Sequence, residues 1–342
     1  MNFINVSDYI LIKQETIPKD FFILSIFIYT FLLLTINIYN RIAASFLFFC
    51  LLICLSMYFP LNGPDKGSYQ EIFGHLKSFS DVFQYTNTVD SPVYYFFNIL
   101  TKKIGISTYL FFTIQNILIT ISLTYIAIKL RNGIYISLSL FFTHLLVPFS
   151  TRIHLLTLLC IFIFISYKKI TRYFTSILLF GIHPMGSILP LLVFNSEDIR
   201  FKIKLKNIII LFIIFSTALW GYDFLYSKFE QYVYNSSMYT NESSGLGISF
   251  IINIYLAVVC YLTLGNYLKG IDKIVILLPS LLSLLTVFSP MFNRLLFPSD
   301  LMIVLLFLKY QKEPKILFLI IWVLLSSLRF YKNFLGNGYY IL

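Results

Sequence analysis

The stretch Pro148-Phe149-Ser150-Thr151-Arg152-Ile153-His154 separates two apolar runs, Gly133 to Val147 and Ile153 to Ser166. As one helix they would cover about 34 residues and roughly 50 Å, too long for a hydrocarbon core of roughly 30 Å. They are therefore expected as two helices joined by a turn. Each is short for a full span, which predicts that the turn lies below the membrane surface. A guanidinium at that depth costs about 2.5–3.5 kcal/mol unless it faces water or a counter-charge. Arg152 is thus expected to face something aqueous or anionic. The spelling recurs at Pro290-Met291-Phe292-Asn293-Arg294, again between short apolar runs. Two sunken Pro-x-x-x-Arg turns point to one site.

Composition agrees with a membrane setting. Of 342 residues, 58% are hydrophobic and 12% charged, and mean hydropathy is +0.82. Soluble domains carry about twice that charge. Long apolar runs that do not alternate exclude a β-barrel, because barrel strands alternate lipid-facing and lumen-facing residues. The expected fold is all-α: a polytopic integral membrane protein of about 10–12 transmembrane helices, including a re-entrant hairpin, forming a single transmembrane domain over 1–342. The formal charge of +11 sits mostly in short loops. In a membrane protein this marks cytoplasmic loops, not nucleic-acid binding. Cys50, Cys54, Cys160 and Cys260 lie in apolar runs and are expected as buried, unpaired thiols. Cys50 and Cys54 share a helical face, but a zinc site would need more ligands. The first apolar run follows Asp20 without a small-residue cleavage site, so it reads as a retained helix.

Along the chain, Phe21–Tyr39 and Ile42–Phe59 predict a tight hairpin around Asn40-Arg41. Further helices are expected at Thr108–Lys129, Gly133–Val147, Ile153–Ser166, Asn207–Gly221, Ile248–Leu268, Ile274–Ser289, Leu295–Leu308 and Ile316–Leu328. Basic clusters fix the sidedness. They are Lys129/Arg131, Lys168/Lys169/Arg172, Arg200/Lys202/Lys204/Lys206, Lys269/Lys273 and Lys309/Lys312/Lys315. With these in the cytoplasm, two polar segments, 60–106 and 222–247, fall outside, as do the Arg152 and Arg294 turns. Clusters flank Tyr173–Phe194 on both sides, and two full crossings would need about 40 residues. A re-entrant hairpin with His183-Pro184 at its tip fits, since proline cannot continue the hydrogen-bond ladder. An ordinary span with one loop against the charge rule is the alternative. Within 60–106, Ile72, Phe73, Leu76, Phe79 and Phe83 share a helical face, which predicts an interfacial helix over Glu71–Phe83. Asp90-Ser91-Pro92 reads as a helix start.

No Walker loop, GxGxxG or DxD pair is present, so ATP-driven pumping and soluble-type nucleotide-sugar chemistry are not expected. The polar residues left on the outer face are Asp65, Tyr69, Asp90, Tyr94, Arg152, His154, His183 and Arg294. Arginine grips diphosphate through bidentate, charge-assisted hydrogen bonds; headgroup snorkelling is the structural alternative for each. His183 lies in an apolar stretch broken by Pro184, as a core histidine or a functional one. His144 reads as structural and His75 as interfacial surface. His154 lies about 200° round a helix from Arg152, so both cannot face one ligand if that helix is regular. Asp65 caps a turn or handles a sugar hydroxyl. Residues 222–247 hold Tyr222, Tyr226, Tyr232, Tyr234 and Tyr239 with Asp223, Glu230 and Glu242. That mixture suits sugar stacking with carboxylates on hydroxyls, or an aromatic belt.

These residues, in this order, resemble the EpsG-like, Wzy-type polymerases of bacterial exopolysaccharide and O-antigen synthesis. The matches are Asp65 and Tyr69 after the second span, then Asp90 and Tyr94 before a helix. Arg152 follows an apolar run, Ile182-His183-Pro184-Met185-Gly186-Ser187 ends another, and Arg294 heads a late helix. The resemblance covers roughly residues 20 to 310. Ile153 stands where the family commonly has Gln, and Lys66 where an aromatic often follows the Asp. The resemblance implies glycan transfer from undecaprenyl diphosphate to another lipid-linked repeat unit at the outer face of the bacterial inner membrane. Arginines would stabilise the leaving diphosphate without a metal or other cofactor. Arg152, His183, Arg294 and Asp65 are the catalytic candidates; Tyr69, Asp90, Tyr94, Glu230 and Glu242 are the substrate-binding ones. The implied partners are membrane lipid and a chain-length regulator protein. A flippase for the same lipid-linked glycan, an O-antigen ligase and a lipid-phosphate-sugar glycosyltransferase are the competing readings.

Overall fold

A computed structural model describes residues 19–58, 71, 73–81, 92–144, 178, 181–182, 248–268, 272–273, 276–277, 280, 284 and 299–336. Among the described residues there is helix and no strand. The helices are α1 (Lys19–Tyr39), α2 (Arg41–Tyr58), α3 (Pro92–Lys103), α4 (Thr108–Lys129), α5 (Gly133–His144), α6 (Ile248–Leu264), α7 (Ser299–Tyr310) and α8 (Ile316–Gly336). One of them, α4, is long and apolar enough to cross a membrane. Its 22 residues rise about 33 Å. Shorter apolar helices cover Ile23–Tyr39, Arg41–Leu55, Gly133–Thr143, Phe250–Leu264 and Ile316–Tyr331.

Contacts gather the chain into two compact units, one of 1–75, 100–158 and 315–342, the other of 76–99 and 159–314. In the first unit, Asn40 makes the α1–α2 hairpin. Its amide donates to Ile36 O at 2.7 Å, closing α1. Its Oδ1 accepts from the amides of Ile42 and Ala43, both at 3.1 Å, opening α2. A single asparagine thus serves as C-terminal and N-terminal cap. Tyr29 then donates to Leu47 O across the hairpin at 2.8 Å. Ser107 caps α4, accepting from Leu110 N at 3.2 Å.

The hub of this unit is α5. Every side chain from Ile134 to Thr143 is buried, as expected of a helix apolar all round. Phe142 lies 5.9 Å from Phe27 of α1 and 5.8 Å from Phe330 of α8, and Phe141 lies 6.1 Å from Phe48 of α2. Ser137 donates to Leu123 O of α4 at 2.8 Å. The α4–α5 turn is tight because residue 133 is glycine. A Cβ there would fall 2.8 Å from Ala127 O and 2.9 Å from Ala127 Cα.

The two ends of α4 are distinct. At its C-terminal end Arg41 Nη1 donates to Leu130 O at 3.4 Å, so the Asn40-Arg41 turn and the basic turn at Lys129–Arg131 share one end. At its N-terminal end Phe111 lies 5.4 Å from Phe73. Lys102 Nζ donates there to Phe73 O at 2.9 Å and Gly74 O at 2.6 Å.

In the second unit α7 matches α5 in kind: Asp300 to Leu308 are all buried. It packs with α6, and Ser280 of the preceding helical residues donates to Asn253 O of α6 at 3.4 Å.

Three details differ from expectation. The interfacial helix over Glu71–Phe83 is interrupted between Leu76 and Ser80. Asp81 Oδ2 accepts from the amides of Lys77 and Ser78, both at 2.7 Å, and Ser78 Oγ donates to Asp81 Oδ1 at 2.6 Å. That is the carboxylate half of a capping box, and it starts a new turn instead of extending the old one. The Ser78 hydroxyl, then the Lys77 and Ser78 amides, hold the Asp81 carboxyl below its ordinary value. Second, α8 runs to Gly336 instead of ending at Leu328; backbone hydrogen bonding does not stop where hydrophobicity does. Third, of the thiols Cys260 is buried, Cys50 is half-buried and Cys54 is exposed, all unpaired; the outer face of an apolar helix is itself apolar, so hydrophobic surroundings in sequence do not place a thiol inward.

Candidate functional site

Of the site residues expected from sequence, Tyr94 is among the described ones. Arg152, His183, Arg294, Asp65, Tyr69, Asp90, Glu230, Glu242 and His154 lie outside the described residues, as do Cys160 and the turn His183-Pro184. What the structure gives is the scaffold next to several of them.

Helix α3 starts at Pro92, where its fixed φ suits a first helical position. It ends on Gly105 at φ 86°, with Gly105 N donating to Lys102 O at 2.9 Å and Ile106 N to Thr101 O at 3.1 Å. This is a Schellman termination, so both ends of α3 are set by its own sequence. Tyr94 is 0% exposed and meets Tyr95 edge-on at 5.9 Å. It is therefore an enclosed residue. Phe96, on the other face, stacks on Phe79 at 4.8 Å.

Next to Tyr94, Val93 meets Gly181. A Cβ built on Gly181 would lie 3.1 Å from Val93 Cβ and closer still to Val93 Cγ2. Ile182, the following residue, is fully buried. The structure thus joins two motifs far apart in the chain. The start of the helix carrying Tyr94 lies against the backbone that immediately precedes His183. Adding one methyl at Gly181 should force this contact open, because valine is branched at Cβ and has little rotamer freedom to retreat. Gly181→Ala is expected to cost about 1–3 kcal/mol of local packing, and the double change with Val93→Ala should recover most of that loss. Unfolding midpoints of the two singles and the double check this.

The helices adjoining the two arginines form the second part of the pattern. In sequence, α5 leads directly into the Arg152 turn and α7 follows the Arg294 turn. α5 is buried on every face from Ile134 to Thr143, and α7 from Asp300 to Leu308. The remaining described helices turn large apolar side chains outward instead, such as Phe31 at 70%, Ile42 at 75% and Leu262 at 67% exposed.

Lys102 was not singled out by sequence. It caps the carbonyls of Phe73 and Gly74 and stands 5.7 Å over the Phe73 ring. Its place in the last turn of α3 does not signal this contact, because the carbonyls it caps belong to another stretch of the chain. His75 is exposed, 3.9 Å from Glu71, in line with a surface position. Among the described residues no three His, Cys, Asp or Glu side chains are placed to hold a metal ion.

No protein-family model matches the chain, and no curated protein or solved structure matches it significantly.

Proposed function

We propose that this chain is a polytopic protein of the bacterial inner membrane that polymerises a lipid-linked glycan at the outer face, in the manner of the EpsG-like, Wzy-type polymerases. The carrying observation is that, among the described helices, those adjoining Arg152 and Arg294 are the ones enclosed on every face, α5 from Ile134 to Thr143 and α7 from Asp300 to Leu308. An arginine joined to a fully enclosed helix suits a sunken anion site better than a headgroup contact. The exposed apolar stripes on α1, α2, α4, α6 and α8 support the membrane setting, since soluble proteins rarely expose such continuous apolar surface. Because Arg41 meets the Lys129–Arg131 turn, these two basic turns share one end of α4. The positive-inside rule makes that end cytoplasmic and the Phe73–Phe111 end outer.

In this reading the donor is a glycan on undecaprenyl diphosphate and the acceptor is a second lipid-linked repeat unit. An acceptor hydroxyl oxygen attacks the donor anomeric carbon. The bond from that carbon to the diphosphate oxygen breaks, and the lipid diphosphate leaves with the bonding pair. Arg152 and Arg294 fork onto the diphosphate oxygens as their charge grows. His183, or an outer carboxylate such as Asp65, takes the hydroxyl proton. The re-entrant stretch carrying His183 would be set against the start of α3 through Gly181 and Val93. Asp90, Tyr69, Glu230 and Glu242 bind sugar hydroxyls, with Tyr94 supporting them from within. A chain-length regulator would be the protein partner, and nucleic acid has no place. Purified protein given lipid-linked repeat units as the sole substrate tests this: it should join them, whereas a flippase would only move them between leaflets.

A further inference from the structure

The described helical residues on either side of 285–298 meet in one ionic cluster. Asp272 is 0% exposed. Both its carboxylate oxygens accept from Lys309 Nζ at 3.2 Å, across a sequence separation of 37. The Tyr310 hydroxyl donates to the same carboxylate. Lys309 Nζ also lies 5.3 Å over the Tyr310 ring, and Lys312 Nζ lies 5.4 Å over the Tyr267 ring. The two rings are 6.5 Å apart. The cluster therefore ties the end of α6, the helical residues Asp272 and Lys273 and the end of α7 together.

A second, independent feature marks the same place. Gln311 sits at φ 51°, while the amides of Gln311 and Lys312 donate to Leu308 O at 3.4 Å and Phe307 O at 3.2 Å. This helix ending ordinarily takes glycine, and a glutamine held there is strained. Such strain persists where the surroundings over-determine it. A buried ion pair adds little net stability over apolar packing, and its best-attested use is to fix one register.

We propose that Asp272 is a positioning residue whose clasp on Lys309 and Tyr310 sets the register of the two helical stretches flanking Arg294. Residues 272 and 309 are brought together at one end. The chain between 284 and 299, which contains Arg294, is the connection these stretches deliver. A slip of one stretch along the other would move that connection by about 1.5 Å per residue, enough to misplace a bidentate guanidinium. The effect on rate rests on the polymerase reading; the positioning itself does not.

The test uses the full chain with its native cysteines replaced and a single Asn293→Cys, labelled from the outer side with an impermeant thiol reagent. Asp272→Asn and Lys309→Met should each change the labelling rate about tenfold, and the charge swap Asp272→Lys with Lys309→Asp should bring it back to within about twofold. Tyr310→Phe removes one donor while keeping the packing. It should shift labelling in the same direction by a smaller factor, which keeps the test readable where Asp272→Asn does not accumulate. Labelling at a control Lys103→Cys should stay constant throughout. Polymer formation should fall and recover with the Asn293→Cys labelling. Unchanged labelling in the single variants, equal change at Lys103→Cys, failure of the swap to restore it, or no labelling in the parent would each overturn the proposal. Labelling that shifts and recovers in a protein that makes no polymer would uphold the positioning and defeat the polymerase reading instead.

Discussion

Arg152→Lys and Arg294→Lys are each expected to slow polymer formation by about a hundredfold, corresponding to roughly 2–3 kcal/mol of lost transition-state stabilisation. Lysine keeps the charge but is a point donor and cannot fork onto two oxygens of a diphosphate. Were the arginines present only for charge, either lysine variant would keep much of the activity. Because both are assigned to one leaving group, the double variant should lose clearly less than the sum of the single losses. Substitution at a headgroup-snorkelling arginine would instead leave the rate near that of the parent. Initial rates on lipid-linked repeat units, with folded protein quantified in parallel, separate these cases. Strictly additive losses would remove the shared grip even if each arginine mattered alone.

The largest structural effect is expected at Gly133. A methyl there meets backbone, with Ala127 O at 2.8 Å, Ala127 Cα at 2.9 Å and Ile126 O closer still. Backbone atoms cannot rotate aside as a side chain can, so Gly133→Ala must separate α4 from α5. Since α5 is the hub against which α1, α2, α4 and α8 pack, the damage spreads through the unit. A loss of about 3 kcal/mol is expected, seen as a lower unfolding midpoint and less folded protein. Gly74→Ala is the comparison: a Cβ there meets nothing within 4 Å, and the change should stay within about 0.5 kcal/mol.

Much of the helical pattern was legible because it is written locally. The limits Thr108–Lys129 could be read from an apolar run that ends on Lys129, and the structure has them there. The Asn40 hairpin and the start at Pro92 were likewise readable from single residues with one conformational use. Shortness of the run after Gly133 was legible too, but its consequence was not. That α5 is enclosed on all sides depends on four helices from distant parts of the chain. The break at Leu76–Ser80 had a local signal, the spacing Ser78-x-x-Asp81. The apolar periodicity of Phe73, Leu76 and Phe79 outweighed it. Phe73 and Leu76 are indeed buried, while Phe79 is exposed, because the chain turns between them.

Contacts across the chain were not legible. Gly181 in its sequence marks a break, and nothing local says that its missing side chain makes room for Val93. Lys309 read as one charge in a cytoplasmic cluster. Its bond to Asp272 needs two helices to meet end to end, which periodicity cannot express. Asp272 is an acid within the Lys269–Lys273 basic cluster, and because acids count for little in the charge rule, nothing there marks it as buried.

The central claim, that this chain joins lipid-linked repeat units, is tested most directly by incubating the purified protein in detergent with undecaprenyl-diphosphate-linked repeat units, adding no nucleotide and no divalent metal. The account predicts a ladder of products differing by one repeat unit, with lipid diphosphate released at each joining step. Repeat units that remain single, in a preparation shown to be folded and able to bind them, would contradict it.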